Sequence, residues 1–299
     1  MRHVFLKSFS FLLLIICLTN QLQAQMKDAY EMANEMVRER LKKESADNIQ
    51  ILDDLKKTDV IVVEGTYDHI HLVLESLKIP FVSIHQNQLM EAELKPHQTV
   101  FVNCASGFPP DAARKLATFV QQGGQLITTD WALKNVLEVA FPNTVAYNNK
   151  PTGDEVVRIE AIDKEDPVVS GFLDEKADPV WWLEGSSYPI KILDKEKVKV
   201  LIRSKELGEK YGEEAVVVRF AFGEGLVYHM ISHFYLQRTE TRDKKQMANA
   251  SEYYKDKGMD DEQVEKASKS SVTYGEIQSA NTSADFVSRV IINQAKKKK

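Results

Sequence analysis

Cysteine is nearly missing from this 299-residue chain, which holds only Cys17 and Cys104. Glycine is sparse at 13 residues and proline at 9, and no collagen-like or low-complexity repeat occurs. No basic excess exists either, since 39 Lys and Arg stand against 44 Asp and Glu. That balance gives no electrostatic footprint for nucleic acid. Long apolar runs are missing beyond residue 18. There is no Walker-type phosphate loop, no G-x-G-x-x-G fingerprint and no G-x-S-x-G elbow. The sequence therefore implies no nucleotide cofactor.

What is present is ordinary globular composition, 43% hydrophobic and 28% charged, in a chain long enough to bury a sizeable core. The first residues carry an address. Arg2, His3 and Lys7 form a basic start, Phe9 to Leu18 is apolar except for Ser10, and Ala24 offers a cleavage point. Residues 1–24 are expected to be a secretory signal peptide, too short in its apolar part to span a bilayer comfortably. Its removal leaves 37 basic against 44 acidic residues, a charge of −7, and Cys104 as the lone thiol. The expected location is periplasmic or secreted, with no membrane span after cleavage. No intramolecular disulfide is then possible.

Residues 25–57 read as a helical segment, with Tyr30, Ala33, Val37 and Leu41 on one face. From Asp59 short apolar runs alternate with helical stretches. Val60–Val63, Phe81–Ile84, Thr99–Val102 and Gln125–Thr129 are the strands. Between the last two, Pro109-Pro110-Asp111 opens a helix whose Ala113, Leu116, Ala117 and Val120 share a face and which Gly123-Gly124 closes. The pattern is that of an α/β fold with a doubly wound, mainly parallel sheet. The second half is richer in strands: Glu155–Ile162, Val198–Arg203, and a hairpin of Ala215–Phe220 with Leu226–Ile231 turning at Gly223-Glu224-Gly225. Residues 238–280 are charged and poor in apolar side chains, and are expected to form a mobile insertion. Residues 281–295 resume a helix that closes the domain begun at 58, and 296–299 are a basic tail.

In an open parallel sheet, ligands bind at the carboxyl ends of the strands. Those ends carry Glu64, Tyr67 and Asp68; His85; Asn103 and Cys104; Asp130 and Trp131; Ser232 and His233. Glu64, Tyr67, Asp130, Trp131 and His233 are the expected ligand-binding residues. Asp130, His233 and Cys104 are the catalytic candidates. Cys104 needs a base such as His233 and a carboxylate such as Glu64 or Asp130. Its flanks lack the leading glycine of a tight elbow, and the expectation is a small buried side chain. No histidine pair has zinc-site spacing: His69 and His71 are two apart, and His229 and His233 straddle a strand end. No metal is expected on that ground. Trp181, Trp182, Tyr188 and Trp131 suggest either a sugar platform or core, and adjacent tryptophans on a strand face opposite ways.

Some of these segments resemble a known family. Pro109-Pro110-Asp111 through Phe119-Val120-Gln121-Gln122-Gly123-Gly124-Gln125-Leu126-Ile127 resembles the helix, Gly-Gly, strand segment of class I glutamine amidotransferase-like domains. Asp166-Pro167-Val168-Val169-Ser170-Gly171-Phe172, and Phe222 through Tyr228 with Ser232-His233, are similar to segments of the ThuA-like (trehalose-utilisation) branch. The resemblance covers roughly residues 59–235 and implies a flavodoxin-like, amidotransferase-like fold. It does not supply the amidotransferase nucleophile. The strand after Gly-Gly ends in Thr128-Thr129-Asp130-Trp131, and of the family's motif histidines only His233 is matched. The missing nucleophile, together with the expected signal peptide, leads to the expectation of an exported, non-catalytic domain binding a small molecule or a cell-envelope protein. The alternative is a hydrolase or sugar-modifying enzyme that uses Asp130 and His233.

Overall fold

The computed structural model describes residues 26–169, 178–235 and 240–297. The expected signal peptide (residues 1–24), and the Ser170-Gly171-Phe172 part of the family-like segment, lie outside them.

Helix α1 (residues 26–44) buries the predicted stripe of Tyr30, Ala33, Val37 and Leu41. Ser45, in extended conformation, breaks it from α2 (Ala46–Asp53). These helices are not a separate unit, because their apolar face belongs to the same core as the sheet. Then come β1 (Val60–Val63), α3 (Ile70–Ser76), β2 (Val82–Ile84), β3 (Thr99–Asn103), α4 (Pro110–Gln121) and β4 (Gln125–Thr129). Every residue of β1, β3 and β4 is buried, which explains why they read as unbroken apolar runs rather than alternating ones. Helix α4 stops where Gly123 takes φ +111°, its N–H and that of Gly124 bonding back to the carbonyls of Val120 and Phe119.

A π-type turn (Leu133–Leu137) leads into α5 (Glu138–Ala140). The β-rich half follows: β5 (Val145–Tyr147), β6 (Glu155–Arg158), β7 (Glu160–Ala161), β8 (Val180–Leu183), β9 (Ile190–Ile192), β10 (Lys199–Arg203), α6 (Lys205–Tyr211), β11 (Ala215–Phe222) and β12 (Gly225–Met230). The main sheet has the order β2-β1-β3-β4-β12-β11-β10-β7. It is parallel from β2 through β12 and antiparallel from β12 through β7. Two antiparallel pairs, β5 with β9 and β6 with β8, form a second layer of strands. The single strand expected over 155–162 is therefore two, since the chain leaves β8 at Ile159 to join β10. Trp181 and Trp182 do face opposite ways: Trp181 joins the main core, Trp182 a small cluster with Val156 and Val180.

The stretch 238–280 departs from expectation. It holds α7 (Ala250–Asp256), α8 (Asp261–Ser268) and the start of α9 (Tyr274–Lys296). Few apolar residues occur there, yet Ala250, Tyr253, Tyr254, Ala267, Val272 and Tyr274 are all buried. Side-chain caps at Asn249, Asp260 and Thr273 satisfy the helix starts. Helix α9 is buried along almost its whole length and packs against β3, α2 and α7. Asp285, fully buried on it, pairs with both Arg40 of α1 and Arg289. Among the described residues no helix is long and apolar enough to cross a membrane.

Candidate functional site

Register places the strand ends together. Asn103 pairs with Thr129 and Thr129 with Met230, so β3, β4 and β12 finish in one row. The next residues leave the sheet side by side, with Cys104 N–H donating to the Thr129 carbonyl at 3.1 Å and Asp130 N–H to the Met230 carbonyl at 3.0 Å. Both Cys104 (φ +40°) and Asp130 (φ +47°) adopt the left-handed region. An Asp tolerates that conformation better than a Cys does, so Cys104 is held there by its surroundings. Gly65, after β1, permits the closest approach: a Cβ there would sit 1.9 Å from the Asn103 carbonyl oxygen.

His233 is the centre of the arrangement. Its side chain is only 4% exposed; Nδ1 meets Glu184 Oε2 at 2.5 Å and Nε2 lies 3.2 Å from Asp130 Oδ2. The second contact is in range but out of line, so Nε2 has no hydrogen-bond partner. Cys104 Sγ lies 3.9 Å from the same Asp130 oxygen. Asp130 is anchored from the second layer, accepting from Ser187 Oγ at 3.1 Å and from Tyr188 N–H at 3.0 Å. Asp68 is buried below, accepting from Thr129 Oγ1 at 2.8 Å and Phe234 N–H at 3.2 Å, while its Oδ1 has no partner.

These groups perturb one another. Burial pushes the pKa of Asp68 and of Asp130 upward, and the nearby imidazole only partly offsets this. Burial also raises the Cys104 thiol, against the opposing pull of His233. For His233 burial acts downward, but contacts with Asp130, Cys104 and Glu184 and the charge of Asp68 hold it well above the usual histidine value. A raised thiol and a held imidazolium are a poor start for thiolate attack.

Beside this buried cluster runs a row of aromatic rings. Tyr67, 57% exposed, meets Trp131 edge-on with centroids 5.3 Å apart. Trp131 stacks on Tyr188 at 6.0 Å, and Tyr188 on Tyr147 at 3.8 Å. Trp131 is fixed by donating from Nε1 to the Ser186 carbonyl at 2.9 Å. Tyr147 also borders an open pocket of about 260 Å³ lined by Asn148, Lys150, Lys191 and Tyr211.

Of the residues expected from sequence, Asp130, His233 and Cys104 are brought together, and Tyr67 and Trp131 form the adjoining wall. Glu64 is not part of it, being exposed and occupied by Ser83 Oγ at 2.9 Å. His229 faces the core, its Nδ1 2.9 Å from Thr128 Oγ1. Cys104 is buried as expected, but against charged groups rather than apolar ones. The sequence reading missed Glu184, Ser187 and Tyr147, and named Tyr188 only beside Trp131, Trp181 and Trp182 as sugar platform or core. They arrive from the second layer, and only the turn-like run Glu184-Gly185-Ser186-Ser187 hinted at a connection there. A search confined to histidine pairs also passes over Cys104, Asp130 and His233, whose ligand atoms lie within 4.8 Å of one another.

No protein-family model and no curated protein matches this chain. Among solved structures it is similar to cytoplasmic protein STM3548 from Salmonella typhimurium, at 12% identity and TM-score 0.43, over 60% of this chain and 89% of that one. It is also similar to the β-galactosidase from Bacillus circulans sp. alkalophilus, at 16% identity and TM-score 0.39, over 63% of this chain and 31% of that one. The carbohydrate deacetylase Agd3 matches at 13% identity and TM-score 0.41, over 66% of this chain and 31% of that one.

Proposed function

We propose that this chain is an exported, amidotransferase-like domain of flavodoxin-like winding that binds a small polyhydroxylated molecule at the carboxyl ends of its parallel strands. It does so as a binding module, without an amidotransferase nucleophile. One observation carries this reading: the row Tyr67, Trp131, Tyr188 and Tyr147 is partly open and borders the buried carboxylate of Asp130 and the partly exposed one of Glu184. Aromatic faces accept the C–H faces of a sugar ring, and carboxylates accept its hydroxyls. A cell-envelope protein displaying such a group is a partner of the same chemistry.

Calorimetric titration of the purified protein with mono- and oligosaccharides tests the reading. Binding is expected, and Trp131→Ala should weaken it at least tenfold, about 1.4 kcal/mol. A panel without a binder, or equal affinity in the variant, sinks it. The export part is tested by N-terminal sequencing of protein recovered outside the cytoplasm, expected to begin near Gln25.

The closeness of Asp130 to His233 favours a second reading, in which the pair is the acid and base of a sugar-modifying hydrolase. That reading predicts turnover of an activated glycoside or acetylated sugar, abolished by Asp130→Asn in a variant that still binds saccharide. The binding-module reading predicts no turnover in either protein.

A further inference from the structure

Cys104, Asp130 and His233 reach one point from three neighbouring strand ends, and the size of the triangle is informative. Cys104 Sγ and Asp130 Oδ2 are 3.9 Å apart, and His233 Nε2 and the same Oδ2 are 3.2 Å apart. All three residues are buried. A tetrahedral zinc ion, with sulfur at about 2.3 Å and nitrogen and oxygen at about 2.0–2.1 Å, holds sulfur and oxygen roughly 3.5 Å apart and nitrogen and oxygen roughly 3.3 Å apart. Those two sides are therefore within a few tenths of an ångström of the spacings around one ion, and the third, from Cys104 Sγ to the His233 ring, is no longer than 4.8 Å.

A second observation points the same way. His233 Nε2 is buried with no aligned hydrogen bond, its neighbour being Asp130 Oδ2 at 3.2 Å, while its other nitrogen is engaged by Glu184. Buried polar atoms are rarely left so. Glu184 at Nδ1 is the kind of carboxylate that fixes the tautomer of a metal-bound imidazole and leaves Nε2 bare for the ion. Ser187 Oγ and the Tyr188 N–H hold the Asp130 carboxylate in place. A thiolate and a carboxylate supply two negative charges to a divalent cation, and the mixed sulfur, nitrogen and oxygen set suits a borderline-soft one.

We propose that Cys104, Asp130 and His233 form a three-ligand site for a divalent cation of the zinc class, its fourth position open to a ligand. The Cys104–metal bond forms as the thiol proton leaves to solvent. The site does not depend on the carbohydrate reading, because saccharide affinity and metal affinity are measured separately.

The test is to strip the purified protein with a chelator and titrate it with Co²⁺ and then Zn²⁺. The expected result is one Co²⁺ per chain, with a thiolate-to-cobalt charge-transfer absorption that Zn²⁺ displaces. Cys104→Ser should remove that absorption, and a folded His233→Gln should weaken Co²⁺ binding at least tenfold. A second arm needs no variant: Zn²⁺ should slow alkylation of Cys104 at least tenfold, read from its peptide by mass spectrometry. Absence of the charge-transfer band in the unaltered protein overturns the site. So does alkylation indifferent to Zn²⁺, or unchanged Co²⁺ affinity in folded His233→Gln.

Discussion

At the scale of single residues, three positions bear more than their size suggests. Gly65 lies against the Asn103 backbone, and an added methyl would collide with a carbonyl that the β1–β3 pairing holds in place. Gly65→Ala should cost about 2–3 kcal/mol, measured by urea unfolding, because backbone rather than a flexible side chain must give way. Asp285 bridges Arg40 and Arg289, so Asp285→Ala removes a carboxylate from both, leaving Arg289 its second partner Glu44 and Arg40 partly exposed to solvent. A loss of about 1.5–3 kcal/mol is expected by the same measurement. His229 sits wholly buried on β12, and burial pushes its pKa down to about 3. Its unfolded value is near 6.5, so between those limits the unfolded chain holds a proton that the folded chain lacks. This group's stabilising share is complete above about pH 6.5 and declines as pH falls toward 3, by up to about tenfold in the unfolding equilibrium per pH unit. Urea midpoints compared across pH 7.5 to 4.5 should fall less steeply in His229→Gln; parallel profiles would contradict the assignment.

At the scale of elements, legibility followed the local signals. Helix α4 and strand β4 were readable because proline opens the helix, a glycine in the left-handed region ends it, and the strand is buried on both sides. The hairpin of β11 and β12 was readable from its glycine turn. Strands β5, β8 and β9 were not, being three or four residues long and paired only with partners distant in sequence. Composition misled most over 238–280. A low apolar fraction says nothing about where the few apolar residues fall, and here Tyr253, Tyr254 and Tyr274 are all turned inward. Tyr253 Oη even accepts from Asn281 Nδ2 of α9 at 2.9 Å. Hydrogen exchange should accordingly show α7 amides protected on a timescale near that of α9. Exchange of the whole 250–268 stretch within seconds would restore the picture of a mobile insertion.

At the scale of the whole molecule, the strand-end rule named residues that the fold does bring to one edge, but not how deeply they lie. Cys104, Asp130 and His233 were each nameable from sequence, since parallel order alone sends them to one edge. Their meeting depends on β3, β4 and β12 being adjacent, which no local pattern encodes. The aromatic wall depends further on a second layer folding over that edge to bring Tyr188 and Tyr147 against Trp131. The central claim is that this composite edge receives a polyhydroxylated ligand. The chain has three tryptophans, and Trp181 and Trp182 are buried in core clusters. Fluorine NMR of protein labelled with 5-fluorotryptophan therefore reads the site directly. Titration with a binding saccharide should move the Trp131 resonance, assigned by Trp131→Phe, and leave the other two in place. Movement of only the Trp181 and Trp182 resonances, or of none across the panel, would contradict the account.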